Sequence, residues 1–151
     1  MIKDLETKES IQILRTNYIG HLGYIWQARP YIVPITYYFD EPNNAIVSYA
    51  SEGHKIIAMR KNKDVSLEVN EIKSVNSWRS VLVHGTFEEL QGIDAEYQLH
   101  QFAECVKDII RRKEKKHLQF ISEFSSKLDS EGYPIVCRIK MDDITAKVRV
   151  D

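Results

Sequence analysis

Two spacings of apolar residues alternate along the chain, and the switches between them set out the expected elements. From Asp4 to Asn17, Leu5, Ile11, Leu14 and then Tyr18 recur at helical spacing among charges, which predicts a leading helix ending before Gly20. Tyr18 to Ala28 reads as a strand with glycines at close-approach or bulge positions, and Arg29-Pro30 as the turn that follows. Tyr31 to Phe39 is dense in β-branched and aromatic residues. Asp40-Glu41-Pro42-Asn43-Asn44 is turn chemistry, and Ala45–Ala50 completes a hairpin. Pro34 cannot donate to a ladder, so its strand is expected at an edge or a bulge, where free backbone groups are open to a ligand.

Gly53–Lys61 reads as a short helix, Val65–Val69 as a strand with one wet face, and Ile72–Ser77 as a polar loop. Trp78–Leu90 has an apolar middle on both faces and should be a central strand. Asp94 is expected to cap the best helix of the chain, with Ala95, Leu99, Phe102, Val106 and Ile109 or Ile110 on one stripe. Leu118, Ile121, Phe124 or Ser125, and Leu128 suggest another helix before the Asp129–Gly132 turn. Alternation in Ile135–Met141 and again in Ile144–Val150 predicts two final strands. Short turns between strands imply antiparallel pairing. The expected fold is mainly β with helices (α+β), a closed or partly closed barrel spanning residues 1–151 as a single domain.

Composition narrows the function. With 21 basic against 22 acidic residues, the net charge of −1 supplies no broad footprint for nucleic acid or an anionic membrane. The run Arg111–His117 lacks interleaved aromatics and reads as a solvated helix end with cations at the favourable terminus. Cys105 and Cys137 lie far apart, which suggests neither a disulfide framework nor zinc. His21, His100 and His117 form no metal spacing, and His84 reads as a packed or interfacial ring. Met1–Glu6 is charged and no apolar run reaches a membrane-spanning length, so the expected location is cytoplasmic.

The chemistry concentrates in Ser48–Lys61. A strand breaks at small residues, and a short helix follows with Lys55 in its first turn and Ser51 as the expected N-cap. A helix N-terminus carries unpaired N–H donors and partial positive charge, which suits a phosphate. The same residues also fit an ordinary turn and a solvated basic face. His54 is the side chain that would deliver a proton near neutral pH; a phosphate donor or a surface residue are its alternatives.

Five stretches in order, Gly20–Ile25, Arg29–Tyr37, Ser48–Lys55, Val65–Val69 and Trp78–Thr86, resemble the pyridoxamine 5'-phosphate oxidase-like, FMN-binding split barrels, in particular the nitroimidazole-resistance branch. The resemblance implies a six-stranded antiparallel split β-barrel, with two FMN molecules at the interface of a homodimer. It places the flavin phosphate on Lys55 with Ser51 and His54, and main-chain contacts to the isoalloxazine edge on Ile32, Val33 and Pro34. Tyr49 and Ala50 would line the ring or ribityl chain, and Trp78, Arg79 and Ser80 would complete the phosphate and ribityl site from one subunit or the other. Where the true oxidases carry a basic pair, this chain has His54-Lys55. Their substrate-binding C-terminal segment has no counterpart in Ile135–Asp151, which argues against vitamin B6 oxidation. What remains is an FMN-dependent oxidoreductase (FAD being the other flavin) that acts on nitroaromatics or another small acceptor. The alternatives are a flavin- or haem-binding protein without turnover and a dimeric module with an empty pocket.

Overall fold

The computed structural model describes residues 1–114 and 135–151. The helix expected over Leu118–Leu128, the Asp129–Gly132 turn and the end of the basic run at His117 lie outside them. Among the described residues the order is β1 (Ile2–Asp4), α1 (Thr7–Thr16), β2 (Ile19–Trp26), β3 (Arg29–Thr36), β4 (Tyr38–Asp40), β5 (Ala45–Ala50), α2 (His54–Lys61), β6 (Asp64–Ser74), β7 (Ser77–Glu89), α3 (Gly92–Glu114) and β8 (Ile135–Val150). No helix among these residues is long and apolar enough to cross a membrane.

The strands form one antiparallel sheet in the order β3-β2-β6-β7-β8-β5-β4, with β1 added on β8. β3 and β4 stand at opposite ends of that order, yet only Tyr37 separates them in sequence. One run of chain therefore bonds β2 with its first part and β5 with its last, and the sheet curls round to meet itself. The closure is incomplete. Among the described residues β3 pairs with β2 alone, and β4 reaches β5 only at Ala45–Val47, so the outer edge of β3 and the edge of Ser48–Ala50 that faces away from β8 have no partner strand. Taking β3–β4 as one strand and β1 as a three-residue addition leaves the six strands of a split barrel.

Alternation on the strands fills the barrel. Leu22, Ile35, Ile46, Leu67, Val69, Val81, Val83 and Ile139 point inward, closed off by Ile13 and Leu14 of α1 and Ile56 and Met59 of α2. Buried Tyr37 donates its hydroxyl to Leu14 O at 2.9 Å, tying the last turn of α1 to the strand junction. α3 covers the outside of the β4–β5–β8 sector through Phe102, Val106 and Ile110 on Tyr38, Val47 and Val136, the stripe its spacing predicts.

Several expectations are corrected. Residues 2–4 form a strand on β8, and α1 begins at Thr7. The β2–β3 turn is Gln27-Ala28, both at positive φ (51° and 63°), while Arg29 and Pro30 already belong to β3. β6 continues to Ser74 where a loop was expected, and α3 starts at Gly92, leaving Asp94 within its first turn. The two final strands are one 16-residue strand, β8. Register against β7 shifts between His84 and Gly85, where Asp142 is the extra residue opposite them. That bulge moves the inward positions from Cys137, Ile139 and Met141 to Ile144 and Ala146, and in sequence the phase change looks like a break between strands.

Candidate functional site

The helix N-terminus at the barrel opening is built by absence of capping. Gly53, not Ser51, is the N-cap of α2; it makes no side-chain cap bond, and the first helical hydrogen bond is Ile57 N–H to Gly53 O at 3.1 Å. The amides of the first turn are thus left to other acceptors. No acidic residue occupies that turn. Glu52, just before it, is held by Arg60, which also takes Glu89 at 2.8–2.9 Å and whose own pKa is raised by those two carboxylates. Gly53 has an extended backbone at φ −179°, and a Cβ there would meet nothing nearer than Ser51 O at 3.9 Å, so glycine is not a backbone requirement at this bend.

Lys55 and His54 leave the helix in different directions. Lys55 lines a small cavity between Ile35 of β3 and Ser48 and Ala50 of β5, with Leu22, Cys137 and Ile139 as apolar walls. Its volume of about 10 Å³ suits roughly one water, so no ring system fits in it. Burial pushes the Cys137 thiol up to about 12, and Glu89 adds to that, against a smaller opposing pull from Lys55 and Arg60. His54 instead sits among Tyr24, Trp26 and Tyr31, with ring centroids 5.7, 5.6 and 5.0 Å away, and its Nδ1 lies 3.0 Å from the Tyr24 hydroxyl. Lys61 Nζ stands 5.1 Å over the Trp26 ring.

β3 is an edge strand, which explains how it carries Pro30 and Pro34. Ile32 and Pro34 point outward, and Val33 points inward with Tyr31 and Ile35. A larger cleft of about 520 Å³ opens on the outer face where β2 leaves β6, since their ladder holds only His21–Gly23 against Ser66–Glu68. Ile25, Pro30 and Ile32 line it, together with Ser66 and His84, whose Nδ1 lies 2.7 Å from Ser66 Oγ.

The expected site residues therefore divide. Ile32, Val33 and Pro34 lie on the edge strand β3, and Ala50, Ser51, His54 and Lys55 run from the end of β5 into α2; Ala50 and Lys55 share the small cavity with Ile35 of β3, Ile32 lines the outer cleft, and His54 meets Tyr31. Tyr49 points away from that cavity, its ring edge-on to Phe102 under α3 at 5.0 Å. Trp78, Arg79 and Ser80 lie on β7, with β2 and β6 between them and β3. Arg79 is paired with Glu71, while Ser80 Oγ donates to Glu68 at 3.3 Å beside His21, whose Nδ1 is 3.3 Å from the same carboxylate. Sequence reasoning missed Tyr24, Trp26, Tyr31 and Lys61. The available signal was the pairing of Tyr24 with Tyr31 across a tight hairpin, which puts both on the face that meets α2.

A barrel left open between two strands, with a bare helix N-terminus at the opening, defines the split-barrel class. The chain belongs to the pyridoxamine 5'-phosphate oxidase family, whose model matches residues 6–148. An uncharacterized protein of Rhizobium meliloti is 33% identical over 89 residues, 59% of this chain and 58% of that one, so the match takes in little more than half of the relative's length. The structure of a FAD-binding protein from Mesorhizobium loti superposes with a TM-score of 0.76 at 23% identity, over 100% of this chain and 98% of that chain. That of a candidate 5-nitroimidazole antibiotic resistance protein from Bacteroides thetaiotaomicron gives 0.66 at 17% identity, over 98% and 87%. At these identities the two structures bear on the fold.

Proposed function

We propose that this protein binds a flavin, FMN in the first instance, across the β3–β5 opening and acts as a flavin-dependent oxidoreductase on a small acceptor. The observation that carries the reading is the uncapped N-terminus of α2 with Lys55 in its first turn, at a gap where β3 and the end of β5 each have one edge unpaired among the described residues. First-turn amides and an ammonium group suit a phosphate monoester, and the nearest carboxylate, Glu52, is already neutralised by Arg60. The free edge of β3 offers main-chain groups at Ile32–Pro34 to a ring lying along it, and the outer cleft beside Ile32 has a volume in the range of small-molecule sites.

The bound flavin would supply the electron transfer; the protein's residues bind, orient and exclude water. The interior cavity is too small for the ring, so the ring lies outside the barrel and needs a cover. A second copy of the chain provides it, bringing its own Trp78–Ser80 stretch to the opening of the first in a homodimer. The Mesorhizobium protein is described as FAD-binding and the Bacteroides protein as a nitroimidazole-resistance candidate, in keeping with a flavin and a small aromatic acceptor.

The test is the absorption spectrum and mass of what copurifies, followed by titration of stripped protein with FMN and FAD. Lys55→Ala is expected to weaken FMN binding by about 1.5–3 kcal/mol, the worth of a charge-assisted contact. An unchanged affinity removes Lys55 from the site, and a colourless protein that takes up neither flavin overturns the reading. Bleaching of the bound flavin by reduced nicotinamides supports the oxidoreductase; no bleaching by any donor favours a flavin carrier.

A further inference from the structure

We infer that Tyr24 fixes His54 in the tautomer that carries its proton on Nε2, so that the ring presents an outward N–H donor beside the bare N-terminus of α2. The Tyr24 hydroxyl and His54 Nδ1 are 3.0 Å apart, and either could donate to the other. Hydrogen-bond accounting decides between them. Tyr24 is 5% exposed, and the Nδ1 contact is its one hydrogen bond among the described residues. If Nδ1–H donated, the phenol proton would have no acceptor among the described residues. If the phenol donates, its proton is satisfied and Nε2–H is left to donate to a ligand or water, on a residue that is exposed overall. Burial, with a contribution from Tyr31, also pushes the Tyr24 phenol up and keeps that proton in place.

Tyr31 and Trp26 hold the ring on its other sides, Trp26 edge-on and Tyr31 tilted at 60°. With Nδ1 taken by Tyr24, His54 at the start of α2 presents an Nε2–H donor of set direction, which suits an anionic oxygen. Its role is to seat the phosphate, with Tyr24 as the positioning residue behind it, and not to deliver a proton to substrate. The ligand assignment rests on the flavin reading above; the tautomer does not.

The test is a long-range ¹H–¹⁵N spectrum of the imidazole rings in uniformly labelled protein, with His54 assigned by its loss in H54Q. Wild type should show an unprotonated Nδ1 and a protonated Nε2. Tyr24→Phe should lose that preference and raise the FMN dissociation constant about three- to tenfold, as removal of one part-buried hydrogen bond does. A proton on Nδ1 in wild type overturns the inference and needs no variant to fold. An unchanged tautomer in Tyr24→Phe overturns it as well, and so does an altered tautomer with unaltered FMN affinity. A wild type that takes up no flavin yet shows Nε2–H upholds the tautomer and overturns the flavin reading.

Discussion

Adjacent side chains at the start of α2 do different work because helical geometry turns them about 100° apart. Lys55 reaches into the barrel mouth and His54 into the aromatic cluster, so the two adjacent side chains leave the start of α2 on different sides. Cys137 shares the Lys55 cavity and is 6% exposed. With its thiol pushed from an ordinary 9.0 to about 12 by burial, it should stay unlabelled by iodoacetamide at pH 8 in the native protein and react once unfolded in urea, read by peptide mass spectrometry. The same shift has a sign in stability. The folded pKa lies above the unfolded one, so the contribution is whole below pH 9 and drains away as pH rises toward 12. The buried Tyr37 and Tyr38 phenols, also raised, act in the same direction. Urea midpoints should therefore fall between pH 8 and pH 10.5; a flat profile would contradict the burial of these groups.

The β2–β3 hairpin shows both what could be read along the chain and what could not. The strands on either side were legible from their β-branched and aromatic residues, and Pro34 announced an edge. The turn was not, because a two-residue loop with both residues left-handed normally signals itself as Asn-Gly, and here it is Gln27-Ala28. Pro30 drew the expectation two residues downstream. Replacing Gln27-Ala28 by Asn-Gly should relieve backbone strain and stabilise the protein by about 1 kcal/mol, roughly a 3 °C rise in Tm, measured by thermal denaturation. The bulge opposite Gly85 was hidden for a related reason: it depends on a neighbouring strand. A Cβ on Gly85 would lie 2.5 Å from Lys140 O, so the close approach of β7 and β8 fixes this glycine through a contact 55 residues away in the chain. In the candidate site, the break after β5 and the short helix that starts there with Lys55 in its first turn were legible as local chemistry. The grouping of Tyr24, Trp26 and Tyr31 around His54 was not, since it arises from how α2 docks on β2.

Taken entire, the molecule presents an outer sheet face that water alone covers poorly. Ile19, Ile25, Ile32 and Ile72 project from β2, β3 and β6 on the side away from the barrel core, Ile32 at 74% and Ile72 at 68% exposure. The His21–Glu68–Ser80 group lies among them. In the proposed homodimer this face is covered by a second copy, and a charge at its rim is costly to bury. Ile32→Glu should shift the protein to a monomer in sedimentation velocity and lower flavin uptake with it; a dimer that persists in this variant places the two-fold contact elsewhere.

β8 bonds β7 along most of its length, β5 through Ile135–Lys140 and β1 through Lys147–Arg149, so one late segment joins three earlier parts of the chain. During synthesis, β5 can pair with β4 at once but must wait for β8 until the ribosome has made α3 and the chain beyond Ile135. The loop-closure entropy of that wait is met only at the end. Until β8 docks, the strand leading into the Lys55 turn lacks its Ile135–Lys140 neighbour, so the opening proposed to hold the cofactor takes shape only after a contact that spans most of the chain.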